Sequence, residues 1–385
     1  MGKLKKFLTN VAVLAVTVAI CLLLCEFAAR LILNPADYLG VEMVGDPILG
    51  AMPSQHTIAG GLDGWGFRNP KVPDSTDIAV IGDSQTYGNT AKMVESWPYV
   101  LGQLSGQRVY NLALGGYGPN QYFYLLQTKA LKLKPKTVII GLSLSDDFDN
   151  AYLMTYSSNY WSYLRVLPGV TVDASTWDAD PIPNWQKKIR IWLSRHSVVY
   201  QLAFHTGLGA SMNGEMQVRN AAQMFPGVAT AIIVPDQHIE EAFQPVGNLR
   251  RLDQQSPSVQ EGMRITFKLL HDMNELCKQN NIRLAVVVIP TKEMVFAPYL
   301  EHNSQMPLGD VMGKLIPNER LAMERTFQFL SDEKIPYVNP LPAMQAAAGQ
   351  GIFAKSAGDM HPNKNGYRII AESVADALKK GELGQ

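Results

Sequence analysis

Cysteine is nearly absent. Cys21, Cys25 and Cys277 are the only three in 385 residues. Two sit in an N-terminal apolar stretch and the third lies far away, so no disulfide framework is implied. No Cys-x-x-Cys pair and no histidine-rich cluster marks a metal site, and nothing calls for a cofactor. Net charge is missing too. Lys and Arg total 34 and Asp and Glu total 34, whereas a nucleic-acid partner would usually need a basic face. Internal repeats and low-complexity tracts are also missing. What is present is apolar: 46% of residues are hydrophobic and 18% charged, the balance of a chain that folds round a core. The length suits one large domain or two ordinary ones.

The first 33 residues open with Lys3, Lys5 and Lys6 and continue as an almost wholly apolar run from Phe7 to Cys25. A spanning helix needs about 20 such residues and a cleaved signal about 7–15. No small-x-small cleavage site follows, and neither cysteine has a small residue before it, which argues against a lipoprotein signal. The run reads as an uncleaved anchor with its lysines in the cytoplasm and the rest of the chain outside the inner membrane. A cleaved signal and a buried soluble helix are the alternatives. Residues 34–73 are punctuated by Gly and Pro and read as a linker that becomes a flap.

Beyond residue 73, short β-branched runs alternate with helix-length segments. The runs DIAVIG, RVYNLAL, KTVIIGLSL, IRLAVVVIP and IPYVNPL predict five strands covered on both faces. The segments between them carry helical spacing, as in Ile265, Leu269, Met273 and Leu276. Strand–helix alternation predicts an α/β fold with a five-stranded parallel sheet. An insertion at about 150–280 breaks the rhythm. Inside it NWQKKIRIWLSRHSVVYQLAFHTG reads as one helix, basic on one side and apolar on the other. Contact with a membrane surface or anionic polymer is one reading, and a cap helix on the core is the other.

Ligands of open α/β sheets sit beyond the carboxyl ends of the strands. Ser84 follows the first strand in GDSQTYG. Gly115, Gly116 and Gly118 follow the second, where glycine lets backbone N–H groups approach a ligand oxygen. Asp146 and Asp147 stand at the tip of the third. Asp359 and His361 lie in GDMHPN just before the last helix. A serine hydroxyl needs a base, and the base needs a partner to fix its tautomer. Ser84, His361 and Asp359 supply those types at one sheet edge. Singly, each has a plainer reading: a helix cap beside Asp83, a turn histidine, an Asx turn.

GDSQTYG, NLALGGYG, the SLSDD tip and DMHPN resemble the four sequence blocks of the SGNH, or GDSL-type, hydrolases, in that family's order. The likeness covers roughly residues 78–378 apart from the insertion. DGWGFRNP and VVVIPTKEMVFAPYL look like membrane-anchored extracytoplasmic members. The second is similar to a stretch of the alginate O-acetyltransferase branch, which arranges its catalytic blocks differently. The resemblance implies a three-layer α/β/α, flavodoxin-like domain over residues 74–385. It implies Ser84 as nucleophile, His361 as base, Asp359 as its orienting carboxylate, and the Ser84 and Gly116 amides as oxyanion donors. The family includes lipases, thioesterases, carbohydrate esterases and acetyltransferases.

One position departs from the pattern. The family has Asn at the third-strand tip, and this chain has Asp146, whose ionised carboxylate can only accept hydrogen bonds. Three resolutions are open: a protonated Asp146, a register shift that brings Asn150 inward, or an impaired site. Asp83, Tyr117, Asn150 and Lys292 are candidate substrate contacts. Trp65, Tyr117 and Tyr122 suit sugar stacking, although aromatics in such segments are more often core or loop packing, and Lys292 suits an anionic group or a solvated surface. The expected function is an extracytoplasmic serine esterase or O-acyltransferase acting on acyl esters of a glycan, with polysaccharide-assembly partners. A lipid or aryl esterase and a non-catalytic glycan-binding subunit are the alternatives.

Overall fold

Uninterrupted β-branched runs can only be strands when both faces are covered, and the central strands of this protein are buried along almost their whole length. The computed structural model describes residues 2–170, 172, 184–205, 208–301 and 307–383. The chain opens with α1 (Gly2–Ile32), whose side chains are exposed over most of its length. Next come a hairpin of β1 (Met43–Asp46) and β2 (Gly50–Pro53), and a short helix, Gln55–Ala59. The α/β body then alternates β3 (Ile78–Gly82), α2 (Trp97–Ser105), β4 (Val109–Asn111), α3 (Pro119–Thr128), β5 (Thr137–Ser143) and α4 (Leu144–Ser157).

The insertion supplies α5 (Asn184–His196), α6 (Val198–His205), α7 (Leu208–Arg219), an antiparallel pair β6 (Thr230–Val234) and β7 (Ile239–Phe243), and α8 (Pro245–Leu252). The body resumes with α9 (Pro257–Gln279), β8 (Arg283–Ile289), α10 (Gly309–Asp332), β9 (Tyr337–Val338) and α11 (Lys364–Lys379). The sheet order is β4-β3-β5-β8-β9, all parallel. Right-handed crossovers sort the helices into two layers: α9 lies against α3 and α4, and α11 lies against α2. The chain reverses direction across the sheet between β3 and β5, where open α/β folds leave a crevice at the strands' carboxyl ends.

The expected single helix over 184–207 is two helices in its described part, 184–205, and residues 206 and 207 lie outside the described residues. Ser197 breaks it: its hydroxyl accepts from the Tyr200 amide at 3.0 Å and donates to Glu26 of α1 at 2.9 Å, while the Glu26 carboxylate also accepts the Val198 and Val199 amides. Those are the otherwise unsatisfied donors of a new helix start. Residues 34–73 are pinned to the body. Asp37 accepts from the buried Arg68 at 2.7 Å and from the Met93 amide at 2.6 Å, and Arg68 also donates to the Gly88 and Ala91 carbonyls.

Candidate active site

β3 ends on Gly82 because Thr86 crowds it: a Cβ there would lie 2.3 Å from the threonine hydroxyl. The chain then turns at once into a short helix, Ser84–Tyr87, capped by Asp83, whose carboxylate accepts the Gln85 amide at 2.9 Å. Ser84 is thereby the first helical residue, at the carboxyl edge of the sheet. His361 arrives from the loop before α11. Its Nε2 lies 2.8 Å from Ser84 Oγ across 277 residues of sequence, and its Nδ1 lies 2.7 Å from Asp359 Oδ1. The same carboxylate oxygen accepts the His361 amide at 3.0 Å, which fixes the two residues relative to one another.

This relay sets the charges. Burial alone pulls the His361 imidazole down, but the hydrogen bond and charge of Asp359 outweigh it, so its pKa ends above the ordinary value. Burial raises Asp359, and its pairing with His361 more than reverses that, leaving it below the usual carboxylate range. Asp83 moves the other way: burial, then the nearby charge of Asp146, push it up to about 7. Burial likewise drives Asp147 well upward; it accepts from the Tyr122 hydroxyl and from the Ser143 amide, tying the end of β5 to α4.

Gly115 and Gly116 form the centre of a turn closed by the Tyr117 amide on the Leu114 carbonyl at 3.2 Å, and Gly116 has a φ of 80°. That is the third position of a type II turn, which favours glycine. Among the described residues, neither the Gly116 amide nor that of Ser84 has an intramolecular acceptor. Ser84, Gly116, Asp146, Asn150, Arg251 and His361 line one cleft of about 470 Å³.

Asp83, Asn150 and Lys292 line this cleft together with Asp146, and the aromatic candidates Trp65, Tyr117 and Tyr122 do not. Asp146 Oδ1 accepts from Arg251 Nη1 at 2.8 Å, an ion pair at the cleft wall. Asn150 does face the cleft, but its amide donates to the Tyr117 carbonyl at 3.2 Å. Asp83 is buried as a helix cap. Tyr117 is buried with its hydroxyl donating to the Ala51 carbonyl, and Tyr122 is wholly buried, so neither offers a ring face for stacking. Trp65 is half-buried, edge-on to Tyr110 and under Lys129. Lys292 lines the cleft and is not solvated. Its ammonium is buried, 2.7 Å from Glu241 of β7, between the rings of Phe243 and Phe353.

Arg251 was not legible. It sits on α8 in the insertion, in the unremarkable stretch NLRRLD, and only the packing of α8 beside α4 brings it to the cleft. The neighbouring Gln244 and Asn248 belong to the same wall: the Gln244 amide and the Asn248 side chain both donate to the buried Glu293.

No protein-family model matches the chain, and no curated protein matches it in sequence. Among solved structures it is similar to a GDSL-like lipase from Bacteroides thetaiotaomicron. That likeness has 14% identity and a TM-score of 0.33, over 79% of this chain and 88% of the other. It is also similar to an acetylxylan esterase from Geobacillus stearothermophilus, at 12% identity and a TM-score of 0.36, over 82% of this chain and 96% of the other. The assignment of fold stands on the strand order and register above.

Proposed function

We propose that the chain is a serine esterase or O-acyltransferase of the SGNH type, held at a membrane by α1, that acts on acyl esters of a glycan through an acyl-Ser84 intermediate. The observation that carries this reading is the unbroken hydrogen-bonded series Asp359–His361–Ser84 opening on a cleft. In the first step Ser84 Oγ bonds to the ester carbonyl carbon and its proton passes to His361 Nε2. The Ser84 and Gly116 amides stabilise the oxyanion. The intermediate collapses, the C–O bond to the alcohol breaks, and His361 returns the proton to the departing oxygen. Water or a sugar hydroxyl then attacks the acyl carbon while His361 takes its proton, the bond from that carbon to Ser84 Oγ breaks, and His361 returns the proton to Ser84 Oγ.

Asp146 stands close to this centre, and a bare carboxylate beside a growing oxyanion would oppose it. Arg251 answers that difficulty by holding the carboxylate in an ion pair. The proposed organisation is an anchor at 1–33, a flap at 34–73 and a catalytic body at 74–385, with the body on the side away from Lys3, Lys5 and Lys6. Acetyl groups on a periplasmic or cell-surface polysaccharide are the proposed esters, and a polysaccharide-assembly system the proposed setting. The second reading, a glycan-binding subunit without catalysis, draws on the carboxylate at the position of the usual amide.

Fluorophosphonate labelling of the full-length protein in detergent separates the two. The expected result is covalent modification at Ser84 that Ser84→Ala abolishes. A folded protein that stays unlabelled leaves the binding subunit as the surviving reading. An acetyl-release assay over acetylated glycans, lipids and aryl esters then sorts the substrates.

A further inference from the structure

α5 carries an apolar stripe on the wrong side for a cap helix. At about 100° per residue, Lys187, Ile191 and Ser194 share one face and Trp185, Ile189 and Trp192 share another, about 160° away. The first face is the half-buried one, and Ser194 lies against Gly40 of the flap. The second points outward: Trp185 is 63% exposed, Ile189 51% and Trp192 57%. A helix resting on a soluble body puts its charge outward. Here two aromatic rings and an isoleucine take that place, with the exposed Lys188 beside them and the exposed Arg190 further round the helix.

The position of α5 explains the pattern. Its last turn is joined to the end of α1: Arg30 donates to the His196 carbonyl at 2.8 Å, and the Gly40 amide, just past α1, donates to the Ser194 carbonyl at 2.9 Å. α6 begins on the Glu26 carboxylate. The apolar run of α1 ends at Cys25, so these contacts lie within about two turns of its end. That is the level at which headgroups replace acyl chains, once about 20 residues have crossed the hydrocarbon.

We propose that α5 is an interfacial helix, lying in the headgroup boundary of the bilayer that holds α1, with Trp185, Ile189 and Trp192 immersed. The proposal rests on reading α1 as an uncleaved anchor. Tryptophan belongs at that boundary by its amphipathic ring. Helices of this composition bury their apolar face about 5–10 Å deep, with flanking lysine and arginine on anionic lipid. The stacked rings of Trp192, His196 and His56 continue the same edge onto the flap. α5 thereby fixes the orientation of the body on the membrane as well as its attachment.

The test uses the full-length protein in nanodiscs of phosphatidylcholine and phosphatidylglycerol. Its three cysteines are replaced (Cys21→Ser, Cys25→Ser, Cys277→Ala). One nitroxide is placed at a time through Trp185→Cys, Ile189→Cys or Trp192→Cys, positions already exposed and therefore tolerant. Leu14→Cys serves as the bilayer reference and Glu324→Cys as the aqueous one. Collision rates with oxygen and with a nickel chelate are compared. The expected oxygen-to-nickel ratio at 185, 189 and 192 is several-fold above that at 324. A ratio equal to that at 324, or shielding from both reagents, while Leu14→Cys reports lipid, overturns the interfacial helix and leaves the anchor standing. An aqueous signal at Leu14→Cys overturns the anchor and the interfacial helix together.

Discussion

Ser84, His361 and Asp359 are joined by two hydrogen bonds, and the carboxylate at the end decides the basicity of the imidazole. Its pairing raises the His361 pKa despite burial. The neutral base is therefore lost at a higher pH, as the medium is acidified, than an isolated imidazole would lose it. Asp359→Asn should lower kcat by about 10³–10⁴-fold and move the acid limb of kcat/KM to lower pH. A pH–rate profile in which that limb stays in place contradicts the pairing. Arg251 and Asp146 should behave as a unit. Arg251→Met leaves the carboxylate uncompensated near the oxyanion and should cost about tenfold or more in kcat, at least about 1.4 kcal/mol. Asp146→Asn in the same protein should restore most of it. Additive losses in this double-mutant cycle would dissolve the proposed partnership. Asp83 makes its mark on stability. Burial and the charge of Asp146 raise it from 3.8 to about 7, so between those pH values the folded chain binds the proton that the unfolded chain has lost. Stability then falls as pH rises through that window. Asp83→Asn should flatten the slope, and urea titrations at several pH values measure it.

At the scale of elements, the sheet was legible and the insertion was not. β3, β5 and β8 announce themselves because a strand buried on both faces must be apolar throughout, as VVVI and TVII are. The Ser84, Gly116 and Asp146 positions follow from strand ends, and His361 from its place just before the last helix. The roles of Lys292 and Arg251 do not, because each depends on what the insertion lays over the sheet edge, and that of Tyr117 does not, because it depends on Ala51 of the flap. A lysine in PTKE looks solvated until β7 brings Glu241 to within 2.7 Å of it. That pair holds β7 to the tip of β8, and Thr291 and Glu319 add a second link from the same loop to α10. Lys292→Met should destabilise the fold by about 3 kcal/mol, because it leaves the buried Glu241 carboxylate with only the partly exposed Lys355, 3.7 Å away. The double variant Lys292→Met with Glu241→Leu should recover most of the loss in chemical denaturation. Equal destabilisation by single and double variants would show that the pair itself matters little. α5 and α6 were half legible: basic and apolar sides were visible, but the break at Ser197 came from Glu26, a residue 171 positions away in the sequence.

At the scale of the whole molecule, α1 is the one described helix long and apolar enough to cross a membrane. On the proposed topology the full-length protein should stay with membranes through an alkaline carbonate wash, and the intact mass of the mature protein should include α1. A mature chain beginning beyond residue 33 would remove the anchor. The contacts of Glu26 and Arg30 with the insertion then acquire a mechanical meaning. An enzyme tied to its stem by a slack tether sweeps a hemisphere and meets whatever diffuses through it. A head clamped to the stem sweeps nothing. On the proposed function its mouth would be held at one altitude over the lipid, facing one way, so that a polymer substrate would have to be delivered to it, and the clamp would act as a ruler for which ester along a passing strand is reached.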